Sequence, residues 1–333
     1  MNNKNAAQPV LKRRDVLTLT AGALLPAVSH NALAQNDYPN RFVRWILPFP
    51  PGGGTELSAR FIGKKFTEIT GQPVVIDSRG GANGIIAVQA VLAAPADGYT
   101  LMFGSNATLA TNAALLKTLP YDPLVDFQPL SLVIQSPIVF LTATGSPLRK
   151  LGDFVVAAKS QPDRHTIGSG SAGYHLMGAL LARKAGFTYI NVPYKSAAET
   201  VLAAISGQVE MGVVDITSAM PLIRGGKARA LAIASERRNP GLPDVPTAAE
   251  AGVPEYTAAP WNAIIAPRGV PQAIVTKLSA IFERIMAMPD TRAFFSEQHV
   301  EILKGGAEPM RAFQREEIAK WIQIAADANI EKQ

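Results

Sequence analysis

The sequence predicts an α/β protein of two lobes with a cleft between them, and three observations predict it. Strand-like apolar runs alternate with helix-like ones from Phe42 to Ser235. Two stretches crowded with proline and other breakers, 118–147 and 237–256, interrupt that alternation. Helical periodicity then returns for the last sixty residues. Alternating units imply doubly wound parallel sheets covered by helices on both faces, with right-handed crossovers. Two interruptions followed by a return imply that the chain crosses between domains twice. Domain one is expected over 38–138 plus 260–333, and domain two over 139–259. Such a pair leaves a cleft that closes by hinge motion.

Each element has a local reason. A strand over 42–48 ends at Pro48, and the next helix, 56–70, carries Leu57, Phe61, Ile62, Phe66 and Ile69 on one face before Gly71 stops it. A strand over 73–77 leads through the loop SRGGANG to a helix over 85–94, stopped by Pro95. A strand over 99–103 leads through GSNAT to a helix reaching Lys117. The second series reads helix 148–160, strand 165–168, helix 174–185, strand 188–192, helix 196–206, strand 209–215, helix 217–225 and strand 229–235. Helices over 271–288 and 307–327 close the chain.

With 333 residues, 47% hydrophobic and 17% charged, the chain can bury a core and is not a disordered polymer. Its first 34 residues read separately. A basic start (Lys4, Lys12, Arg13, Arg14), an apolar stretch from Val16 to Val28, and Ala32-Leu33-Ala34 before Gln35 have the order of an export signal with its cleavage site. The apolar stretch is too short to cross a ~30 Å hydrocarbon layer as an anchor. Arg13-Arg14 ahead of Val16 and Leu17 resembles a twin-arginine signal, an ordinary Sec leader being the alternative. Removing 1–34 takes away four bases and one acid, so the formal charge falls from +6 to +3. That is too weak for a nucleic-acid partner. Cysteine is absent, which excludes disulfides, thiolate metal sites and thiol nucleophiles.

The chemistry is expected in five loops at carboxyl ends of strands. They are PPGGGT (50–55), GGANG (80–84), GSNAT (104–108), GSGSAG (168–173) and the turn Asp215–Thr217–Ser218. Each opens a helix, whose free N–H groups carry partial positive charge. Glycine lets a ligand approach that backbone closely. Several such ends on one cleft would hold an anion without arginine or lysine. Enzymatic readings fit less well. GSGSAG satisfies G-x-G-x-x-G between a strand and a helix, but the next strand, 188–192, ends without the acid a ribose needs. A nucleophile elbow, G-x-S-x-G, would need a glycine where Ser169 stands, and His175 is the one histidine near Ser171 able to serve as its base. No H-E-x-x-H and no phosphate-binding lysine loop occurs.

In order and near-constant spacing, PFPPGGGT (48–55), PVVI (73–76), ADGYTL (96–101), LPYDP (119–123), VPYK (192–195), GQV (207–209), LPDVPT (242–247) and EAG (250–252) closely resemble the Bug-type receptors, the substrate-binding proteins of tripartite tricarboxylate transporters. The resemblance runs from about residue 38 to the C-terminus. It implies a two-lobed type II periplasmic binding protein with no catalysis, metal or cofactor. Such a receptor would act as a monomer that hands a small carboxylate to membrane permease subunits. A periplasmic sensor acting on a membrane kinase is the alternative. On the family pattern the ligand positions are Pro51, Gly52, Gly53, Gly54, Thr55, Ser105, Asn106, Ser169, Ser171, Gly173 and Asp215. Two departures stand out. Ser78-Arg79-Gly80 replaces the usual Asn-Arg-Pro, and the serine loop is about one residue short and carries Tyr174 before His175.

Overall fold

Strand β1 (Val43–Leu47) is apolar at four of five positions and buried at those four, the pattern of a strand deep in a sheet. In the computed structural model, which describes residues 38–256 and 258–332, β1 lies between β2 (Val74–Ser78) and β3 (Thr100–Ser105) and runs parallel to both. Beyond β3 come β10 (Trp261–Pro267), β4 (Phe127–Gln135) and β11 (Glu301–Ile302), each antiparallel to its neighbour, giving the order β11-β4-β10-β3-β1-β2. The second sheet has the order β7-β6-β8-β5-β9, from β5 (Ile138–Ala143), β6 (Thr166–Ser169), β7 (Ile190–Pro193), β8 (Met211–Asp215) and β9 (Ala228–Ala234). Here β6 is parallel to β7 and β8, while β5 runs against β8 and β9. Pro39–Gln333 form one unit that contains both sheets.

The two-sheet α/β architecture is therefore as expected, but the sheets are mixed rather than wholly parallel. The difference comes from β4, β5, β10 and the short β11, which sequence reading did not anticipate. Proline in 118–147 punctuates these strands without abolishing them. Pro129 sits where the β4–β10 register shifts, and Pro137 lies between β4 and β5. The anticipated helices appear at Gly54–Thr70, Leu151–Ser160, Ala172–Ala185, Ala197–Ile205, Ile216–Arg224, Gln272–Ala287 and Ala307–Asp327. A further helix, Pro289–Glu297, was not anticipated; it opens with proline at its first position, where no intrahelical N–H is needed. The export-signal reading of 1–34 lies outside the described residues. Among those described, no helix is long and apolar enough to cross a membrane.

Aromatic packing anchors the first sheet. Trp45 of β1 meets the rings of Phe66, Phe103 and Phe282 at 5.9, 6.3 and 5.7 Å between centroids, joining sheet to helices on one face. On the last long helix the buried Glu317 Oε2 accepts from both Trp261 Nε1 and Trp321 Nε1 at 2.9 Å, tying β10 to that helix. The passage between sheets is short. Only Ser136 and Pro137 separate β4 from β5, and Ser136 N–H donates to Pro260 O (2.9 Å) just ahead of β10. The outward and return crossings are thus bonded to each other.

Removing the shared acceptor should be costly. Glu317→Ala leaves two buried indole N–H groups unpaired, a loss of about 2–5 kcal/mol. The expected result is a melting temperature lower by roughly 5–15 °C, with Glu317→Gln, which keeps a carbonyl acceptor, losing less than half as much.

Candidate functional site

The carboxyl ends of β1 and β3 face those of β6 and β8, so loops from the two sheets meet. Two glycines mark the closest approach. A Cβ on Gly54 would lie 2.8 Å from Asp215 Oδ1 and 2.9 Å from Thr217 Cβ, and one on Gly173 would lie 2.7 Å from Asn106 Nδ2. A larger residue would have to displace the Asp215 and Thr217 side chains at the first place and the Asn106 side chain at the second. The Gly54 N–H faces Ser218 Oγ at 3.4 Å across the seam.

Two small chambers lie along this seam, each with about 20 Å³ of open space, room for about one water molecule. The first is walled by Ser105, Asn106, Ser136, Ser171 and Asn262, with Trp261 and Phe49 as apolar faces. The second is walled by Gly53, Glu56, Ser196, Asp215 and Ser218. Phe49, Tyr174, Asp215, Gly54 and Thr55 border both. A third and larger cavity, about 110 Å³, also lies between the lobes, with Asn83, Leu115 and Leu116 on the first-sheet side and Ser169, Ser171, His175, Asn191 and Tyr194 on the second.

The chambers differ in electrostatics. In the first, Ser105 Oγ and the Asn106 side-chain amide are buried without a hydrogen-bond partner among the described residues. Burying such groups unpaired is costly, and a ligand able to pair with them recovers that loss. In the second, Asp215 is already engaged. Its Oδ1 accepts from Ser218 N (2.9 Å), capping the Ile216–Arg224 helix, and its Oδ2 accepts from Ser218 Oγ (2.9 Å) and Tyr174 Oη (2.8 Å). Burial, with the Asp215 charge beside it, raises the Tyr174 hydroxyl well above its ordinary pKa, so it stays a donor. Glu56 takes the Gly52 N–H at 2.7 Å and pairs with Arg60. Burial opposes its charge, but the bonds from Gly52 and Arg60 outweigh burial and hold its carboxyl below the usual range.

The structure brings together most of the residues picked from sequence. Gly53, Gly54, Thr55, Ser105, Asn106, Ser171 and Asp215 line the two chambers, and Gly173 closes against Asn106. Ser169 donates to Asn191 Oδ1 (2.7 Å) in the third cavity. Pro51 and Gly52 are exposed and line neither chamber, and the Gly52 N–H is taken by Glu56. Ser171 Oγ accepts the Tyr174 N–H as a helix cap (3.4 Å), and among the described residues no hydrogen bond joins it to the His175 ring. Burial lowers the His175 pKa, leaving a neutral imidazole. Sequence reading missed Ser136, Trp261 and Asn262, which arrive on the two crossings. It noted Tyr174 as a departure without assigning it to the site.

Two mixed α/β sheets meeting across a polar seam define a two-lobed, type II binding-protein fold. Residues 58–330 match the family described as tripartite tricarboxylate transporter family receptor, TctC, and the chain belongs to that family. It is 32% identical over 316 residues to protein BugT of Bordetella pertussis, covering 94% of this chain and 95% of that one. Among solved structures, Rpa4515 of R. palustris with adipate superposes with a TM-score of 0.85 at 33% identity, covering 89% of this chain and all (100%) of that one. MatC from Rhodopseudomonas palustris with bound malate gives 0.81 at 32% identity, covering 86% and 99%. The family is one of solute receptors, not enzymes.

The seam geometry separates two adjacent glycines. Gly54→Val should force the lobes apart or strain the seam, at a cost of about 1–3 kcal/mol, seen as a lower melting temperature and a larger radius of gyration in small-angle scattering. Gly53→Val should change neither, because a Cβ there meets only Ser218 Oγ at 4.0 Å and Gly53 already has an extended φ of −97°.

Proposed function

We propose that this receptor is exported, clasps a small organic carboxylate between its lobes, and delivers it to the membrane permease of a tripartite tricarboxylate-type transporter. The observation that carries the reading is the pair of unpaired buried groups at Ser105 and Asn106, in a chain whose relatives hold adipate and malate. The ligand carboxylate takes the Asn106 amide and Ser105 hydroxyl, with Thr55 supplying a hydroxyl and helix-start N–H from the same lobe. Ser171 and Gly173 close from the other lobe, and the Gly53–Gly54 backbone permits the approach. Asp215 caps its helix and turns the ligand so that a hydroxyl or other donor faces it. Residues 38–138 with 260–333, and 139–259, move as the two lobes about the crossings.

A bridging ligand stabilises the closed state by about 2.7 kcal/mol at a hundredfold excess over its Kd. A thermal-shift series of mono-, di- and hydroxycarboxylates should give clear upward shifts, and Asn106→Ala should weaken the best acid ten- to a hundredfold, about 1.4–2.7 kcal/mol. Neutral sugars shifting the transition while every acid leaves it unchanged would refute the carboxylate assignment.

Export rests on the Ala32-Leu33-Ala34 site behind its basic, apolar leader. Sequencing of periplasmic protein should read Gln35 first, and replacing both Arg13 and Arg14 with lysine should stop export if the route is twin-arginine. Secreted protein still beginning at Met1 would contradict the assignment.

A further inference from the structure

The third cavity has about 110 Å³ of open space against about 20 Å³ in each chamber, room for several water molecules or for a carboxylate with part of its chain. Ser171 walls both this cavity and the chamber of Ser105 and Asn106, so the two lie on either side of one residue. Among the described residues no lysine, arginine, aspartate or glutamate lines the cavity, and its apolar wall is Leu115, Leu116, Ala172 and Pro193. Its polar groups offer donors. Asn191 Oδ1 already accepts the Ser169 hydroxyl at 2.7 Å, which leaves Asn191 Nδ2 as the free end of that amide. Neither Asn191 Nδ2 nor the His175 ring bonds another described residue. Asn83, on the first-lobe wall, comes from a backbone held out of its ordinary range. Gly81, Ala82, Asn83 and Gly84 have φ of 124°, 46°, 52° and 85° in succession. Asparagine tolerates that region but alanine does not favour it, and strain of this kind persists mostly where a ligand site keeps it. Asn112 Nδ2 holds the Asn83 carbonyl at 3.1 Å, tying the turn to the segment after β3.

We propose that the third cavity receives a second carboxylate at the far end of the ligand, held by the Asn191 amide and by His175, which takes up one proton from solvent as that carboxylate enters. The inference rests on the carboxylate-receptor reading above and narrows it to diacids. A carboxylate only accepts hydrogen bonds, which suits a wall whose asparagine oxygen is already occupied. It also brings a charge into a part-buried space without lysine or arginine, where an unpaired charge is costly. His175 is the lining group that can supply the opposite charge near neutral pH. Without ligand, burial keeps its ring neutral; a carboxylate within about 4–6 Å favours the imidazolium. No fixed charge decides this beforehand. On the cavity side the other titratable group is Tyr194. On its opposite side His175 borders an open groove with Lys159, Arg183, Asp163 and Asp327, two bases against two acids, and Arg183 lies 3.9 Å from Asp327. Tyr189 shares that groove, its hydroxyl donating to the His175 carbonyl at 3.3 Å.

The test is titration calorimetry of the purified protein in two buffers of different ionisation enthalpy, with succinate, glutarate and adipate and with the monoamide of each. The best diacid should bind with uptake of about one proton and at least tenfold more tightly than its monoamide, which should take up none. The diacid's affinity should fall up to about tenfold as pH rises from about 7 to 8, because His175 carries the extra proton only in the complex; the monoamide's should not change. His175→Gln should abolish the uptake and cut the preference for diacid over monoamide at least tenfold. Should that variant not fold, the nitrogen NMR shifts of the wild-type His175 ring report the same change of protonation. A diacid that binds without proton uptake overturns the proposal. So does a folded His175→Gln with wild-type uptake and preference, a monoamide that binds as tightly as its diacid, or a wild type that takes monocarboxylates but none of the diacids. In each of these cases acids still bind, and the receptor reading stands. A wild type that binds no carboxylate overturns both.

Discussion

Everything about the seam depends on how little chain joins the two sheets. Ser136 and Pro137 alone carry β4 into β5, and the return crossing is tied to the outward one by the Ser136 N–H to Pro260 O bond. The Ile216 N–H bonds Pro137 O at 3.0 Å, so the helix that Asp215 caps is referenced to the same point. A two-residue link leaves few dihedral angles to vary and keeps the end of β4 beside the start of β5. The carboxyl ends of β3 and β8 lie beside it. Small rotations there become contact or separation between Gly54 and Asp215 and between Gly173 and Asn106. Glycine stands at the closest places for that reason, and β5 and β10 run against β8, β3 and β4 because they leave the crossing where those strands end.

From this constraint follows the division of labour among polar groups. Several buried or part-buried polar groups are satisfied internally: Glu317 with two indoles, Asp215 with Ser218 and Tyr174, Ser169 with Asn191. Ser105 and Asn106 are buried equally well but stay unpaired. They belong to the strand end nearest the crossing, where any partner from the opposite lobe would have to move with closure. An unpaired donor at a moving seam costs stability when isolated and gains it when a third body fills the gap. The acid side of the seam is balanced from within, by Arg60 and Gly52 at Glu56 and by three donors at Asp215. It asks for no anion.

How much of this the sequence discloses depends on the range of the interactions involved. The loops after β1, β3, β6 and β8 were legible because each joins a strand-like run to a helical one through glycine, serine or asparagine, a local signal. Ser105, Asn106, Ser171 and Asp215 were reached that way. β4, β5 and β10 were not, because their prolines read as interruption, although the run Ile138–Ala143 is as apolar and β-branched as β8. The same error hid Ser136, Trp261 and Asn262, which reach the seam from opposite sides of a 125-residue excursion through the second sheet. Nothing local to Pro51 and Gly52 shows that Glu56, four residues on from Gly52, turns back to take the loop N–H.

The segment after β3 shows why local consistency gives way at this place and not elsewhere. Of the buried side-chain atoms without a partner among the described residues, four belong to Ser105, Asn106, Thr111 and Asn112, within eight consecutive residues. The same segment includes a π-helical turn, Ala107–Thr111, before it settles into the α-helical Asn112–Leu115. A π turn widens the helix and sacrifices backbone bonds that an α turn would make well, and it is found mostly where a function keeps it. The segment is not loose. Ser105 N–H bonds Thr108 Oγ1, Tyr121 Oη bonds Thr108 O, and Gln314 Nε2 reaches Leu109 O from the C-terminal helix. Surroundings that fix the backbone while leaving polar side chains unpaired hold those side chains oriented in advance of a ligand. Such preorganisation lowers the ordering cost of binding, and it requires that the frame, including Glu317 on the same helix as Gln314 and the two tryptophans it joins, be stable by itself.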